Sequence, residues 1–487
     1  MQPRLTFLND AELDRIIDGA FEVLARVGVH VGSERVMDIV ASQPGATRDG
    51  ERVRLGRDLV ERCLKTCPSE VKLYRQDRDA PIVLAGDEVN FVAGSTVPYI
   101  YDPDTAGLRE ATSRDLVNHT KVIDRCDYID LQSGSFVPSD VPKPIVSAYR
   151  YYLALLYSPK PMFSGAFGTD DIAVIWSVMA ALSGGEKELA ERPFALLCVN
   201  PSSPLGLTDV VAENAAFLAE KNFPMLMIPI PLAGGSSPVT LAGTLVQHTA
   251  ENLATLVVSQ LVRAGAPVIF GGGPSIMDMR KGTACQAATE AIMMGAAIGQ
   301  IAKRLGLPSS TNTGRADSKC VDYQAGEETG SALTAMALAR INLIRGSGTL
   351  EYANVVSTEK LLIDNEICGM AKRLIRPIDT GDEALALDVI FERGATTTGF
   401  LSSPHTLKWF KSEFFLPSDI IDRGQRREFE AGGSKDAFGR ARAGVQQILA
   451  EYEPRQIDPE RKLEADRIIA KYAAQHGMDQ LPITELE

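Results

Sequence analysis

A (β/α)8 barrel is the fold class this sequence predicts, with an N-terminal helical and small β extension and a C-terminal helical region. Three observations predict it. First, one unit recurs from Met162 to Thr406: a short apolar run, a Gly/Ser/Asn-rich break, then a long helical pattern ending near a proline. The runs are FSGAF near Pro161, FALLCVN after Pro193, MLMIPI after Pro224, VIFGGG after Pro267 and a weaker SSTNTG after Pro308. Second, two hand-overs nearly repeat, VRAGAPV (262–268) and KRLGLPS (303–309). Each reads as a basic last helical turn, a glycine past the helix end, and a proline where the next strand begins. Third, the apolar runs do not alternate, which suits parallel strands covered on both faces.

Three further runs complete the series: YIDLQSGSF (128–136), NLIRGSGT (342–349) and ATTTGFL (395–401). Eight such units in about 280 residues match the usual size of the barrel. An open doubly wound sheet would show fewer units and a Gly-x-Gly-x-x-Gly turn near its start. The expected boundaries are 1–126 for the N-terminal extension, 127–410 for the barrel and 411–487 for the C-terminal region.

Within the extension, residues 9–27 predict an amphipathic helix. Asn9 or Asp10 caps it, Leu13, Ile16, Ile17, Ala20 and Leu24 form its apolar stripe, and Gly28 ends it. A second helix is expected over 57–66, and its Cys63 and Cys67 have no further Cys/His pair at zinc spacing. Strands and turns follow from Val71 to Ala111, then a helix over 115–126. Beyond the barrel, Phe429, Phe438, Val445, Ile448 and Leu449 are the expected packing residues, for a cap on the barrel flank or a dimer contact.

The chain has 487 residues, 45% hydrophobic and 23% charged, with a formal net charge of −13. That balance excludes a general nucleic-acid binder. The first residues lack the apolar core of a secretory signal, and no run reaches the length of a membrane span. Seven scattered cysteines suit reduced thiols in a cytoplasmic protein.

In such a barrel the active site lies at the C-terminal ends of the strands. The breaks there are rich in Gly, Ser, Thr and Pro and poor in acid–base residues. Gly234 and Gly235, with Gly272 and Gly273, would leave a wide mouth or present amides to a phosphate. His405, in LSSPHT, is the histidine expected at the mouth, acting as a base with Glu351 or Asp317 or holding a carboxylate. Asn200 and Asn312 are candidate polar partners. Phe136, Phe163, Phe167, Tyr352 and Phe400 would suit a cation, with core packing the alternative for each phenylalanine. Lys319 or Lys160 would serve a Schiff base if buried. Cys320 lacks a placed histidine, and no cluster suggests a bound metal.

The runs NTGRADSKCVDYQAGEE (312–328), GSGTLEYA (346–353) and FLSSPHT (400–406), with YIYDPDTAG at 99–107, resemble the trimethylamine methyltransferase family over essentially the full length. The resemblance implies a barrel that moves a methyl group from an amine to the Co(I) of a corrinoid on a separate small protein. No cofactor tightly bound to this chain is expected. The archaeal trimethylamine enzymes carry pyrrolysine, which would align to 316–322, near Lys319 and Cys320. This chain has only standard residues, so it is similar to the branch without pyrrolysine, whose members demethylate quaternary amines such as glycine betaine. The expected substrate site is then His405, Phe136, Phe167, Asn200, Asn312, Glu351 and Tyr352, with Gly234, Gly235, Gly272 and Gly273 facing the corrinoid. A homo-oligomer is also expected. The competing readings are a Schiff-base or phosphate-binding lyase and a non-catalytic barrel that binds quaternary amines.

Overall fold

The computed structural model describes residues 3–94, 96–394 and 399–483. Its first helix, Asp10–Arg26, starts with a capping box. The Asn9 side chain accepts from the Glu12 amide, and the Glu12 carboxylate accepts from the Asn9 amide. Leu13, Ile16, Ile17, Ala20 and Leu24 are buried, as the periodicity predicts. They face the long helix Leu241–Val262. Gly28 follows with φ 71°, and a Cβ there would lie 2.3 Å from the Val53 carbonyl oxygen, so only glycine fits.

The central sheet has strands β1 (Asn90–Ala93), β2 (Met162–Gly165), β3 (Ala195–Val199), β4 (Met225–Met227), β5 (Val268–Phe270), β6 (Ser310–Thr311) and β7 (Leu343–Ser347). Strands β2 to β5 are continuously paired in parallel. A bridge from Phe270 to Ser309 carries the ring to β6, which pairs with β7. Strand β7 pairs in parallel with β1, Leu343 opposite Asn90 and Ile344 opposite Phe91. Residues 131–132 close the remaining gap through the bridges Val92–Leu131 and Gln132–Met162. The ring is therefore a closed parallel barrel.

Its start and end differ from the sequence expectation. The run 128–136 supplies the second position in the ring, not the first. The first is Asn90–Ala93, from the stretch assigned to the N-terminal extension, and it pairs directly with Leu343–Ser347. Of the run expected as the eighth strand, residues 395–398 lie outside the described residues. The cause is legible. VNFVAG is as apolar and unalternating as the other strands, but it lacks the proline hand-over and sits between two hairpins that belong to other sheets.

One of those hairpins, Val71–Tyr74 with Pro81–Leu84, plugs the N-terminal end of the barrel. The Tyr74 amide donates to the Pro193 carbonyl and the Gln76 amide to that of Pro159, both just before barrel strands. Val71, Leu73 and Leu84 thus join Leu131, Phe163, Leu196, Leu226, Ile269 and Leu343 in one apolar interior cluster. Among the described residues, the hairpin therefore closes the N-terminal end of the barrel.

Two polar groups stitch the seams on either side of β1. Asn342, 1% exposed, donates from Nδ2 to the carbonyls of Ala85, Gly86 and Glu88, and its Oδ1 accepts from the Ser309 amide and hydroxyl. Lys160 donates from Nζ to the carbonyls of Ile123, Cys126 and Ile129, where the helix Ser113–Asp124 ends.

After the last barrel helix, Thr358–Leu374, the chain returns along the flank. Helix Ala437–Ala450 packs on Thr358–Leu374, with Val445 buried and Phe438 edge-on to Tyr101 at 6.0 Å. Helix Pro459–Gln475 packs on Thr169–Ser183. The intervening helices Asp382–Leu385, Leu387–Arg393 and Pro404–Glu413 bury no residue fully and expose Phe391 and Leu407, and the segments flanking them expose Ile378, Leu401 and Phe414. No described helix is long and apolar enough to cross a membrane.

Replacing Asn342 by Leu should strand several buried backbone groups and cost about 2–4 kcal/mol, read as a lowered urea midpoint. A second expectation concerns pH. His119 and His248 are enclosed, and burial pushes both down to about 3. Their folded values lie below the unfolded value of about 6.5, so their contribution is fully present above that pH and is lost as pH falls. Moving from pH 7.5 to 5.5 should cost about 1.4 kcal/mol per histidine. His119→Met should remove about half of that loss.

Candidate active site

Strand alternation places Leu343 and Arg345 inward and Ile344 outward on β7. Arg345, 5% exposed, forms the floor of the open end. Its Nε donates to the Ser310 hydroxyl at 3.0 Å and Nη2 to the Gly272 carbonyl at 3.4 Å. The guanidinium carbon stands 5.1 Å from the centre of the Phe163 ring. Beside it, Arg315 donates from Nε to the Asn312 carbonyl at 2.6 Å and from Nη1 to the Gln286 side chain. A third buried guanidinium, Arg150 from helix Val146–Tyr157, donates to the hydroxyls of Thr96 and Ser164 and to the Gly165 carbonyl.

None of these three guanidinium groups has a described carboxylate within ion-pair distance. Burial, with the neighbouring charge of Arg315, pushes Arg345 down to about 9. Burial likewise pushes Arg315 down to about 10 and lowers Arg150. Sequence reasoning missed all three. The signal was present: a lone arginine inside the apolar strand NLIRGS, and another inside the apolar helix VSAYRYYLALLY.

At the opposite lip, Lys319 donates from Nζ to the Asp317 carbonyl at 2.8 Å and to the Tyr352 hydroxyl at 2.7 Å. It lies 4.2 Å from the centre of the Tyr352 ring. Burial alone would lower its pKa, but the Tyr352 hydrogen bond and the nearby carboxylates prevail and raise it. Asp317 accepts from the amides of Gln286 and Ala287, and burial raises its pKa. Glu351, Tyr352 and Ala353 carry φ of 49°, 57° and 70° in succession. Left-handed backbone costs a non-glycine residue about 1–2 kcal/mol, so this turn is strained. It is held from behind by a buried pair. Lys360 Nζ meets Asp364 at 2.6 Å, and the same Asp364 oxygen accepts from the Gly348 amide at 2.6 Å.

The structure brings Lys319, Asp317, Glu351 and Tyr352 together, and separately Asn312, Gly272 and Gly273 with Arg315 and Arg345. It keeps other candidates apart. His405 sits on the flanking helix Pro404–Glu413, its Nε2 3.2 Å from the Glu383 carbonyl and its ring stacked on Trp409. Its described partners, Glu383, Ser403 and Trp409, all lie in this flanking region. Phe136 is fully buried and packs edge-on against His119 at 5.3 Å, a core role. Phe167 is half exposed, with Arg150 over its ring at 5.4 Å. Asn200 is exposed at the end of β3. Cys320 is exposed, and burial with the Asp322 hydrogen bond raises its thiol pKa.

The glycines also divide. A Cβ on Gly272 would sit 2.1 Å from His248 Nε2, and one on Gly273 1.6 Å from Asn312 Oδ1, so internal packing demands both. Gly234 and Gly235 lie on the more open 232–239 loop, near Met279 and Met277.

The two lysines offered for Schiff-base chemistry are committed elsewhere. Lys160 is enclosed by three carbonyls below the barrel, and Lys319 is held as an ammonium ion. Borohydride reduction in the presence of pyruvate or an aldehyde should leave the protein mass unchanged, and a trapped adduct on either lysine would contradict this geometry.

The family model for trimethylamine methyltransferase matches residues 1–477. The chain is 33% identical to a trimethylamine methyltransferase MttB of Desulfitobacterium hafniense, covering 94% of this chain and 92% of that one. It is 30% identical to a glycine betaine methyltransferase of the same species, covering 98% of each. In structure it resembles the Methanosarcina barkeri monomethylamine methyltransferase, with a TM-score of 0.53 at 11% identity, over 98% of this chain and 89% of that one. That likeness concerns the fold alone. The chain belongs to the trimethylamine methyltransferase family and is a methyltransferase.

Proposed function

We propose that this chain takes a methyl group from a quaternary amine of the glycine betaine kind and delivers it to a corrinoid carried by a separate protein. The observation that carries the reading is the chemistry of the open end. It is walled by hydroxyls, amides and fixed cations, while Lys319 and Cys320, where the resemblance would put pyrrolysine, are an engaged ammonium and a thiol of raised pKa. A reaction run there must depend on positioning and exclusion of water more than on proton transfer. A quaternary nitrogen meets that condition. When its N–CH3 bond breaks, the electron pair stays on nitrogen and a neutral amine leaves without any proton being moved.

The corrinoid supplies a cobalt(I) nucleophile. The rim fits a partner that carries one, since Phe167, Ile230, Val239 and Met279 are exposed on loops that follow barrel strands and Tyr323 is exposed at the start of the helix Tyr323–Leu338. A plugged floor then leaves one route to the substrate. The exposed apolar side chains of 378–416 support assembly with further copies of this chain.

The test mixes the purified protein with a Co(I) corrinoid and a panel of quaternary and tertiary amines, following the visible absorption of Co(I). We expect that absorption to be lost with a betaine, with release of the dimethylated amine, and to persist with trimethylamine. Betaine binding without any loss of Co(I) would favour a non-catalytic binding barrel.

A further inference from the structure

We propose that Arg345 and Arg315 together bind a carboxylate of the substrate on the barrel floor, and that this fixes its methylated end toward the opening. The inference rests on the methyl-transfer reading only for what happens at that other end.

The argument begins with charge. Removing an ion from water costs several kcal/mol even after the protein relaxes, and buried charges are normally paired. Arg150 and Lys160 are each buried singly among hydroxyls and carbonyls, while other cations follow the rule. Lys360 is buried against Asp364, and Lys372 reaches Asp130 at 2.8 Å. Arg345 and Arg315 break it side by side. Their recorded partners are a serine hydroxyl, two carbonyls and a glutamine amide, all neutral. The nearest carboxylate to bear on Arg315 is Asp317, which interacts with it only at a distance and spends its oxygens on the amides of Gln286 and Ala287. The other group bearing on Arg345 is the Cys198 thiol, which burial keeps protonated by raising it to about 11.

The geometry gathers the two guanidiniums on one strip of backbone. Arg345 donates to the Gly272 carbonyl, the Asn312 amide donates to that same carbonyl, and Arg315 donates to the Asn312 carbonyl. Nη1 of Arg345 and Nη2 of Arg315 donate to no described atom. Two outward N–H groups on planar cations suit the two oxygens of a carboxylate.

The same arrangement excludes the cationic end. Three of the five aromatic rings expected to suit a cation carry one of the protein itself: Phe163 under Arg345, Phe167 under Arg150 and Tyr352 under Lys319. A quaternary ammonium about 4 Å from a guanidinium would be repelled by about 4 kcal/mol at an effective dielectric of 20. A zwitterion therefore enters carboxylate first, with its methyl groups outward.

Binding is measured directly by calorimetry, without corrinoid, using glycine betaine, choline, acetate and inorganic phosphate. For the wild-type protein we expect glycine betaine to bind at least 10-fold more tightly than choline, and acetate to compete with it. Arg345→Met should weaken glycine betaine at least 30-fold while changing choline less than 3-fold, and Arg345→Lys should recover part of the loss. The thermal midpoint of each variant reports whether it has folded. If the methionine variant does not fold, the wild-type ranking and acetate competition still decide. Equal binding of choline and glycine betaine, competition by phosphate but not acetate, or unchanged betaine affinity in folded Arg345→Met each overturn the proposal. Carboxylate-dependent binding with no loss of Co(I) would sink the methyl-transfer reading and leave this one standing. Turnover with no carboxylate preference would do the reverse.

Discussion

Everything at the open end of this barrel depends on the parallel ladder between Asn90–Ala93 and Leu343–Ser347. That ladder removes the two free edges an open sheet would have and fixes the register of the last strand. Side chains along a strand alternate, so a slip of one residue would turn Arg345 outward and Ile344 inward. Asn342 guards against the slip. It stands one residue before the ladder and uses both ends of its amide, on the loop 85–88 and on Ser309. A side chain that satisfies five backbone and hydroxyl groups in one position fits no neighbouring register.

Closure then sets the electrostatics. The chain is acidic overall, with a net charge of −13, yet the inner wall of its open end is built from arginines. The two facts do not conflict. Net charge governs solubility and long-range association, while a few buried groups in a low-dielectric cleft govern what enters it. Behind the wall, Lys360 and Asp364 cancel one another and hold Gly348 by its amide, so the strained turn at Glu351–Ala353 is imposed by a rigid support. Arg345 and Arg315 differ from Lys360 in lacking that cancellation, which is why a ligand rather than the fold completes them.

The aromatic residues illustrate how a correct location can carry an incorrect role. Phe167 and Tyr352 do lie on loops that follow barrel strands, as their place in the sequence predicts. Their ring faces are nevertheless taken by Arg150 and Lys319. Phe136 is a different case, since it follows a barrel segment but turns toward the helix that carries His119. Distance along the chain cannot tell a ring that lines a cleft from one that backs it.

Much of the fold was determined by sequence alone, because it rests on local physics. Proline hand-overs, unalternating apolar runs and the capped amphipathic helix at Asp10–Arg26 are short-range signals, and the strands from Met162–Gly165 to Leu343–Ser347 and that helix form where they predict. Family membership was legible as well, since it rests on contiguous runs such as NTGRADSKCVDYQAGEE that need no fold to be read. The strand that closes the ring was not legible, because pairing of Asn90–Ala93 with Leu343–Ser347 joins segments some 250 residues apart and no local pattern selects a partner at that range. The floor of the site was decided the same way. Arg315 and Arg345 become neighbours only when β6 and β7 pair, and His405 is drawn to Glu383 and Trp409 by the packing of the flanking helices. Which charges end up without a partner is a property of the packed interior, and tertiary structure alone assigns it.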